Sequence, residues 1–212
     1  MDLTEFVNHI RGEEGSQVHL VIARSGEAEN LEFDITRKNL VLPTVSSQML
    51  ENHTGYIQVT EFTEHTAEQF EEALDSLQGD GMTALIVDLR SNPGGMLTSV
   101  CDMLDDILPK GLLVYTEDRS GKRVDYTSTD EKTLDLPLAV LVNGYSASAS
   151  EIFAGAIQDR KAGTIIGTTT YGKGVVQSIL TLKDGSAFKI TTNRYFTPSG
   201  TCIQGIGITP DE

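Results

Sequence analysis

Tryptophan is absent from the 212-residue chain and cysteine nearly so, with only Cys101 and Cys202. Two thiols give neither a disulfide framework nor a CxxC metal spacing, and both read as buried side chains. The four histidines, His9, His19, His53 and His65, are scattered through the first third and form no ligand pair, which speaks against a structural zinc site. Positive charge is scarce: 16 Lys and Arg stand against 31 Asp and Glu, a net charge of −15. That balance speaks against nucleic acid and against an anionic membrane surface, which both want cations. No apolar run approaches the ~18 residues of a membrane span, and the opening Met-Asp-Leu-Thr-Glu-Phe is no signal peptide.

What is present is a strand–helix alternation. Residues 2–11 place Leu3, Phe6, Val7 and Ile10 on one helix face, and 17–24 and 31–36 alternate as a β-hairpin. From residue 38 a second unit begins. Strands are expected at 55–62, 83–89, 112–117, 123–126, 136–142, 175–182 and 187–195, with helices from Thr66 to about Leu77, from Leu97 to about Leu108, and from Ala149. Run 83–89 is apolar almost throughout, as in a strand covered on both faces. The fold class is α/β with a mixed sheet.

The stretch Asn143-Gly-Tyr-Ser-Ala-Ser-Ala-Ser-Glu151 carries the chemistry. A strand turns into a helix whose apolar residues fall at Ala149, Ile152, Phe153, Ala156 and Ile157. A serine at such a bend can serve as a nucleophile beside the helix's first N–H groups. Ser148 and Glu151 also fit a capping box, which merely starts a helix. A nucleophilic serine needs a base. No histidine follows Ser148, so nothing supports a Ser-His-Asp triad, and the other general solution is a lysine kept neutral by desolvation. Lys173, twenty-five residues on and flanked by Gly172 and Gly174, is the candidate, with Gln177 in reach to hold it. A hairpin tip and a surface glutamine are the plain alternatives. Oxyanion donors are available at the Ala149 N–H and in the Asn92-Pro-Gly-Gly95 turn, which otherwise is only a tight turn. Asp159, roughly 16 Å along the helix axis from Ser148, reads as structural.

In this order the residues resemble the carboxyl-terminal processing protease family, the tail-specific serine proteases. The likeness rests on Gly55-Tyr-Ile57, Asp88-Leu-Arg-Ser-Asn-Pro-Gly-Gly95, Asn143 to Ile152, Tyr171-Gly-Lys-Gly-Val-Val-Gln177, Thr197-Pro-Ser-Gly200 and Gly207-Ile-Thr-Pro-Asp211. The resemblance implies Ser148 as nucleophile, Lys173 as general base, Gln177 orienting it, and Gly94 and Ala149 N–H groups as the oxyanion hole, with no metal and no cofactor. It implies a crotonase/ClpP-like ββα spiral protease core over 39–212, and a C-terminal PDZ remnant, helix plus hairpin, over 1–38. The expected partner is a protein or peptide substrate with an unstructured C-terminus, in an extracytoplasmic (periplasmic or cell-envelope) setting and with a homo-oligomer allowed. The chain is then expected to be a fragment, its membrane anchor or signal lying in a missing N-terminal part. Thr201-Cys202 departs from the family's frequent Arg-Ser. Two other readings stand beside this one. A catalytically silent peptide-binding or scaffolding fragment is the first. The second is a crotonase-type acyl-CoA enzyme, for which the chain offers no basic, adenine-facing patch.

Overall fold

The computed structural model describes residues 2–129 and 133–212. In chain order the elements are α1 (Leu3–Ile10), β1 (Gln17–Ile22), β2 (Leu31–Thr36), β3 (Val45–Met49), β4 (Thr54–Val59), α2 (Thr66–Gly79), β5 (Ala84–Asp88), α3 (Leu97–Asp105), β6 (Gly111–Asp118), β7 (Arg123–Ser128), β8 (Leu138–Val142), α4 (Ala149–Asp159), β9 (Thr164–Gly167), β10 (Val175–Thr181) and β11 (Ala187–Phe196). A compact unit ends at Leu42 and a second runs from Pro43 to Glu212, so the division falls a little beyond the boundary expected at residue 38.

The first unit holds α1 and the antiparallel hairpin β1–β2, paired from Gln17↔Thr36 to Ile22↔Leu31. Asp2 caps α1 by accepting the Glu5 N–H at 2.8 Å. Arg37 ties helix to hairpin, its guanidinium donating to the Ile10 carbonyl at 2.7 Å and to the Ser16 hydroxyl at 2.8 Å. No described residue of this unit is fully buried. So short an element set has no apolar interior of its own.

The second unit is built on a five-stranded sheet in the order β3-β4-β5-β8-β9, in which β3 is antiparallel to β4 and every other pair is parallel. A separate four-stranded antiparallel sheet runs β10-β11-β6-β7. Helices α3 and α4 pack on each other and reach both sheets, α3 against β7 and α4 against β6 and β9. Leu85 and Val87 of β5 and Val140 and Val142 of β8, on one face of the sheet, are sealed from solvent, while Ala84, Ile86, Ala139 and Leu141 on the other are half-buried, so the cover expected on both faces of run 83–89 is complete on one. Helix α4 is buried on all sides from Ala149 to Ile157. Its small residues permit this: a Cβ at Gly155 would stand 2.8 Å from the Thr197 methyl carbon.

Two strands escape the sequence pattern. Strand β3, Val-Ser-Ser-Gln-Met, has three polar residues in five, and β9 has only four residues. Both are edges of the larger sheet, where one side of a strand faces no neighbour and the apolar signal is thin. The parallel order sets the site. It places the loops after β5 and β8 side by side at the carboxyl ends of adjacent strands, the crevice where open α/β sheets hold ligands.

Candidate active site

The loop after β5 is fastened by Asn92, a fully buried side chain. Its Nδ2 donates to the Val59 carbonyl at 2.9 Å, and its Oδ1 accepts the Gly94 N–H at 2.8 Å. The Asn92 carbonyl in turn accepts the Ala147 N–H and the Ser150 hydroxyl, both at 3.0 Å. The Pro-Gly-Gly turn is thereby clamped against the serine bend. Gly94 has φ +101°, and a Cβ there would lie 2.6 Å from the Ala147 carbonyl oxygen, 2.8 Å from the Ser148 Cβ and 2.9 Å from the Ala149 nitrogen. Only glycine fits this approach.

The three serines of the bend separate cleanly. Ser146 is buried, and its hydroxyl donates to the Leu89 carbonyl at 2.7 Å while accepting the Asn143 N–H at 3.0 Å. Ser150 is buried and committed to Asn92. Ser148 is half-buried, and among the described residues its hydroxyl donates no hydrogen bond. Its backbone sits at φ 56°, ψ −111°, the first-corner region of a type II′ turn that suits glycine. Ser148 precedes α4, so the Ala149 N–H at its first position has no helical acceptor.

Glu151 joins the serine to the lysine loop. This side chain is fully buried. Its Oε2 accepts the Ser148 N–H and the Lys173 N–H, each at 2.8 Å, and its Oε1 accepts the Gly172 N–H and the Thr170 hydroxyl, each at 2.6 Å. Both backbone nitrogens lie 2.8 Å from one oxygen, so their separation is bounded by twice that distance. The Ser148–Glu151 pairing read as a helix cap is therefore also the brace of the site. Sequence spacing showed the cap, but not that the same carboxylate reaches residues 170–173.

Of the residues named from sequence, the structure brings Ser148, Ala149, Gly94 and the Lys173 backbone together. Gln177 is not hydrogen-bonded to the lysine; it is exposed on β10 beside a bulge between Val176 and Gln177. Nor does a hydrogen bond link the Ser148 hydroxyl to Lys173 Nζ, and the Gly94 N–H is held by Asn92. Asp159 accepts the Ser199 N–H at 2.8 Å, the structural role expected of it. Burial, then the nearby Asp102 charge, pushes the Cys101 thiol up to about 12, so it offers no thiolate. Lys173 lines a cavity of about 590 Å³ with Ser91, Pro93, Tyr145, Ala147 and Tyr171. Among the described residues no group of three or more His, Cys, Asp or Glu could hold a metal ion, and no helix is long and apolar enough to cross a membrane.

Sequence reasoning missed the support under the β5 loop. Asp88, 1% exposed, accepts the Tyr56 hydroxyl at 2.6 Å and a forked contact from the half-exposed Arg90 guanidinium, 2.9 Å from Nε and 2.6 Å from Nη2. Burial alone would raise the Asp88 carboxyl. The Arg90 and Tyr56 hydrogen bonds and the Arg90 N–H outweigh it and hold that carboxyl below the usual range. Burial and the Asp88 hydrogen bond push the Tyr56 phenol up. A depressed carboxyl stabilises the fold above its unfolded pKa of about 3.9 and loses that contribution as pH falls through the lower folded value. Arg90→Met is therefore expected to cost about 2 kcal/mol at neutral pH, between the worth of an exposed pair and the cost of breaking a buried one, because the guanidinium is half in water. The cost should shrink toward pH 3. Urea unfolding of both proteins at the two pH values measures it, and an equal cost at both would remove Asp88 as the origin.

Peptidase family S41 is matched by residues 53–212. The chain is 42% identical over 99% of its length to the carboxy-terminal-processing protease of Bartonella bacilliformis, covering 49% of that protein. It is 38% identical over 99% of its length to the carboxy-terminal processing protease CtpB of Bacillus subtilis, covering 44%. Among solved structures, the photosystem II D1 C-terminal processing protease superposes with a TM-score of 0.75 at 32% identity, over 94% of this chain and 56% of that one. The chain thus spans about half the length of the curated relatives it matches. With its mixed α/β core and a match over most of its length, it belongs to peptidase family S41.

Proposed function

We propose that the chain carries the catalytic part of a serine endopeptidase that cleaves protein substrates near unstructured C-termini with a Ser-Lys dyad. The observation that supports this most is Glu151, which holds the backbones of Ser148 and Lys173 on one buried oxygen. The Ser148 Oγ attacks the substrate carbonyl carbon as its proton passes to neutral Lys173 Nζ. The carbonyl electrons move onto oxygen, where the N–H groups of Ala149 and Gly94 receive the charge. The tetrahedral species collapses, the amine leaves with the proton from Lys173, and water then cleaves the ester with Lys173 again as base. Gly94 serves once its N–H turns from Asn92 Oδ1, and Gln177 orients the lysine once its amide rotates inward. Names of relatives, which are carboxyl-terminal processing proteases, support the substrate class.

The rest of the reading follows the same resemblance. The parallel strands β4, β5 and β8, each followed by a helix, support a crotonase/ClpP-like ββα spiral, and the coreless first unit supports a PDZ remnant. Its setting is extracytoplasmic, in the cell envelope, and a homo-oligomer fits it. A second reading, a catalytically silent peptide-binding fragment, is favoured by the engaged Gly94 N–H and the unlinked Ser148 hydroxyl.

Labelling with a fluorophosphonate, with the modified residue located by mass spectrometry, separates the two. Label at Ser148 that slows at least ~100-fold in Lys173→Ala is expected, the ordinary worth of a general base. Equal labelling of Lys173→Ala would sink the dyad, and no label on a folded chain that still binds peptide would favour the silent reading.

A further inference from the structure

Six tyrosines occur in the chain. Four of them, Tyr56, Tyr115, Tyr126 and Tyr195, are buried or half-buried. The remaining two, Tyr145 and Tyr171, are 75% and 67% exposed, and both line the cavity that Lys173 also lines. Their backbones are fixed to a single turn. The Tyr145 N–H donates to Asn143 Oδ1 at 3.0 Å, and the Tyr171 N–H donates to the Ser146 carbonyl at 3.0 Å. Ser146 is itself anchored on Leu89. Two largely exposed aromatic rings on hydrogen-bonded backbone leave apolar area in water at the mouth of a site.

We infer that Tyr145 and Tyr171 form an aromatic clamp for one apolar side chain of the polypeptide substrate beside the cleaved bond, and so set its specificity. This deepens the proposed peptidase reading and rests on it. Tyrosine gives a large contact surface while ordering only two side-chain torsions. Pro93 and Ala147 extend the apolar wall. A glycine would leave both rings wet. Leucine or phenylalanine is the residue the clamp fits.

The test is a set of internally quenched, alanine-based peptides that differ at one position X, either Gly, Lys, Leu or Phe, with cleavage sites read by mass spectrometry. The wild-type chain should cut beside X and favour Leu or Phe over Gly by about tenfold, from the apolar area one such side chain buries. Tyr145→Ala should erase most of that preference through KM with kcat within twofold, and Tyr145→Phe should keep it. The fluorophosphonate labelling rate of each variant is measured alongside, so that any change in Ser148 reactivity is read apart from the change in preference. Preference that survives in both Tyr145→Ala and Tyr171→Ala would overturn the clamp. Failure of the catalytic reading is seen separately, as absence of label at Ser148. In that event binding of the X = Leu and X = Gly peptides, followed by fluorescence anisotropy, decides the clamp: equal affinities overturn it, and tighter X = Leu binding lost in Tyr145→Ala upholds it.

Discussion

Glu151→Gln, a change of one atom, is expected to cost roughly 3–5 kcal/mol of stability and to slow acylation of Ser148 at least a hundredfold, because the amide must turn one NH2 toward donors that now meet an oxygen. The carboxylate accepts four hydrogen bonds, two on each oxygen. Whichever way the amide is placed, two of those donors face a donor. At Oε2 they would be the backbones of Ser148 and Lys173; at Oε1, Gly172 and the Thr170 hydroxyl. All lie where water cannot replace the lost acceptor, since Glu151 is fully buried. The lysine loop would then shift away from the serine bend, and a displacement of about 1 Å is enough to cost two orders of magnitude in rate. Guanidinium unfolding and the rate of fluorophosphonate labelling read the two effects separately. A variant with wild-type stability and wild-type labelling would remove Glu151 as the brace. Loss of stability with normal labelling of the folded fraction would leave it a purely structural acceptor.

Much of this arrangement was legible in the chain, and the reasons are local. The α4 face, the apolar β5 run and the β10–β11 hairpin each follow from periodicity and turn residues. Ser148, Lys173 and the Pro-Gly-Gly turn stand out because small and polar residues interrupt apolar runs at element ends. The polar edge strand β3 and the four-residue β9 carry too little apolar pattern to register. The contacts that assemble the site span long stretches of sequence. Asn92 reaches Val59, Asp88 reaches Tyr56, and Glu151 reaches Thr170. Each is an ordinary polar residue in its own window, and only the fold turns it into a clamp. Family resemblance points to Ser148 over its neighbours, and the committed hydroxyls of Ser146 and Ser150 support that proposal.

Ser148→Gly is expected to abolish turnover and to stabilise the fold. Removal of a nucleophile in this class of chemistry lowers the rate by about 10⁴-fold or more. The stability gain comes from the backbone. At φ 56°, ψ −111° a residue with a Cβ carries strain of about 1–3 kcal/mol, and glycine does not. Glycine's extra freedom in the unfolded chain takes back roughly 0.5–1 kcal/mol, and loss of a serine at a helix start takes back a few tenths. The net expectation is a gain of about 1 kcal/mol, a few degrees in melting temperature for a chain of this size. Ser148→Ala keeps the strained Cβ and should gain nothing, though it is equally dead. Ser150→Ala should behave in the opposite way, losing the buried bond to the Asn92 carbonyl and about 1 kcal/mol while Ser148 still takes the label. Thermal unfolding of the three variants beside the wild type is the measurement. If Ser148→Gly melts no higher than Ser148→Ala, the bend is not strained, and the serine is held there by its surroundings at no cost to the fold. If it melts higher, the chain keeps a less stable corner in order to present one hydroxyl, which is the signature of a position selected for chemistry over stability.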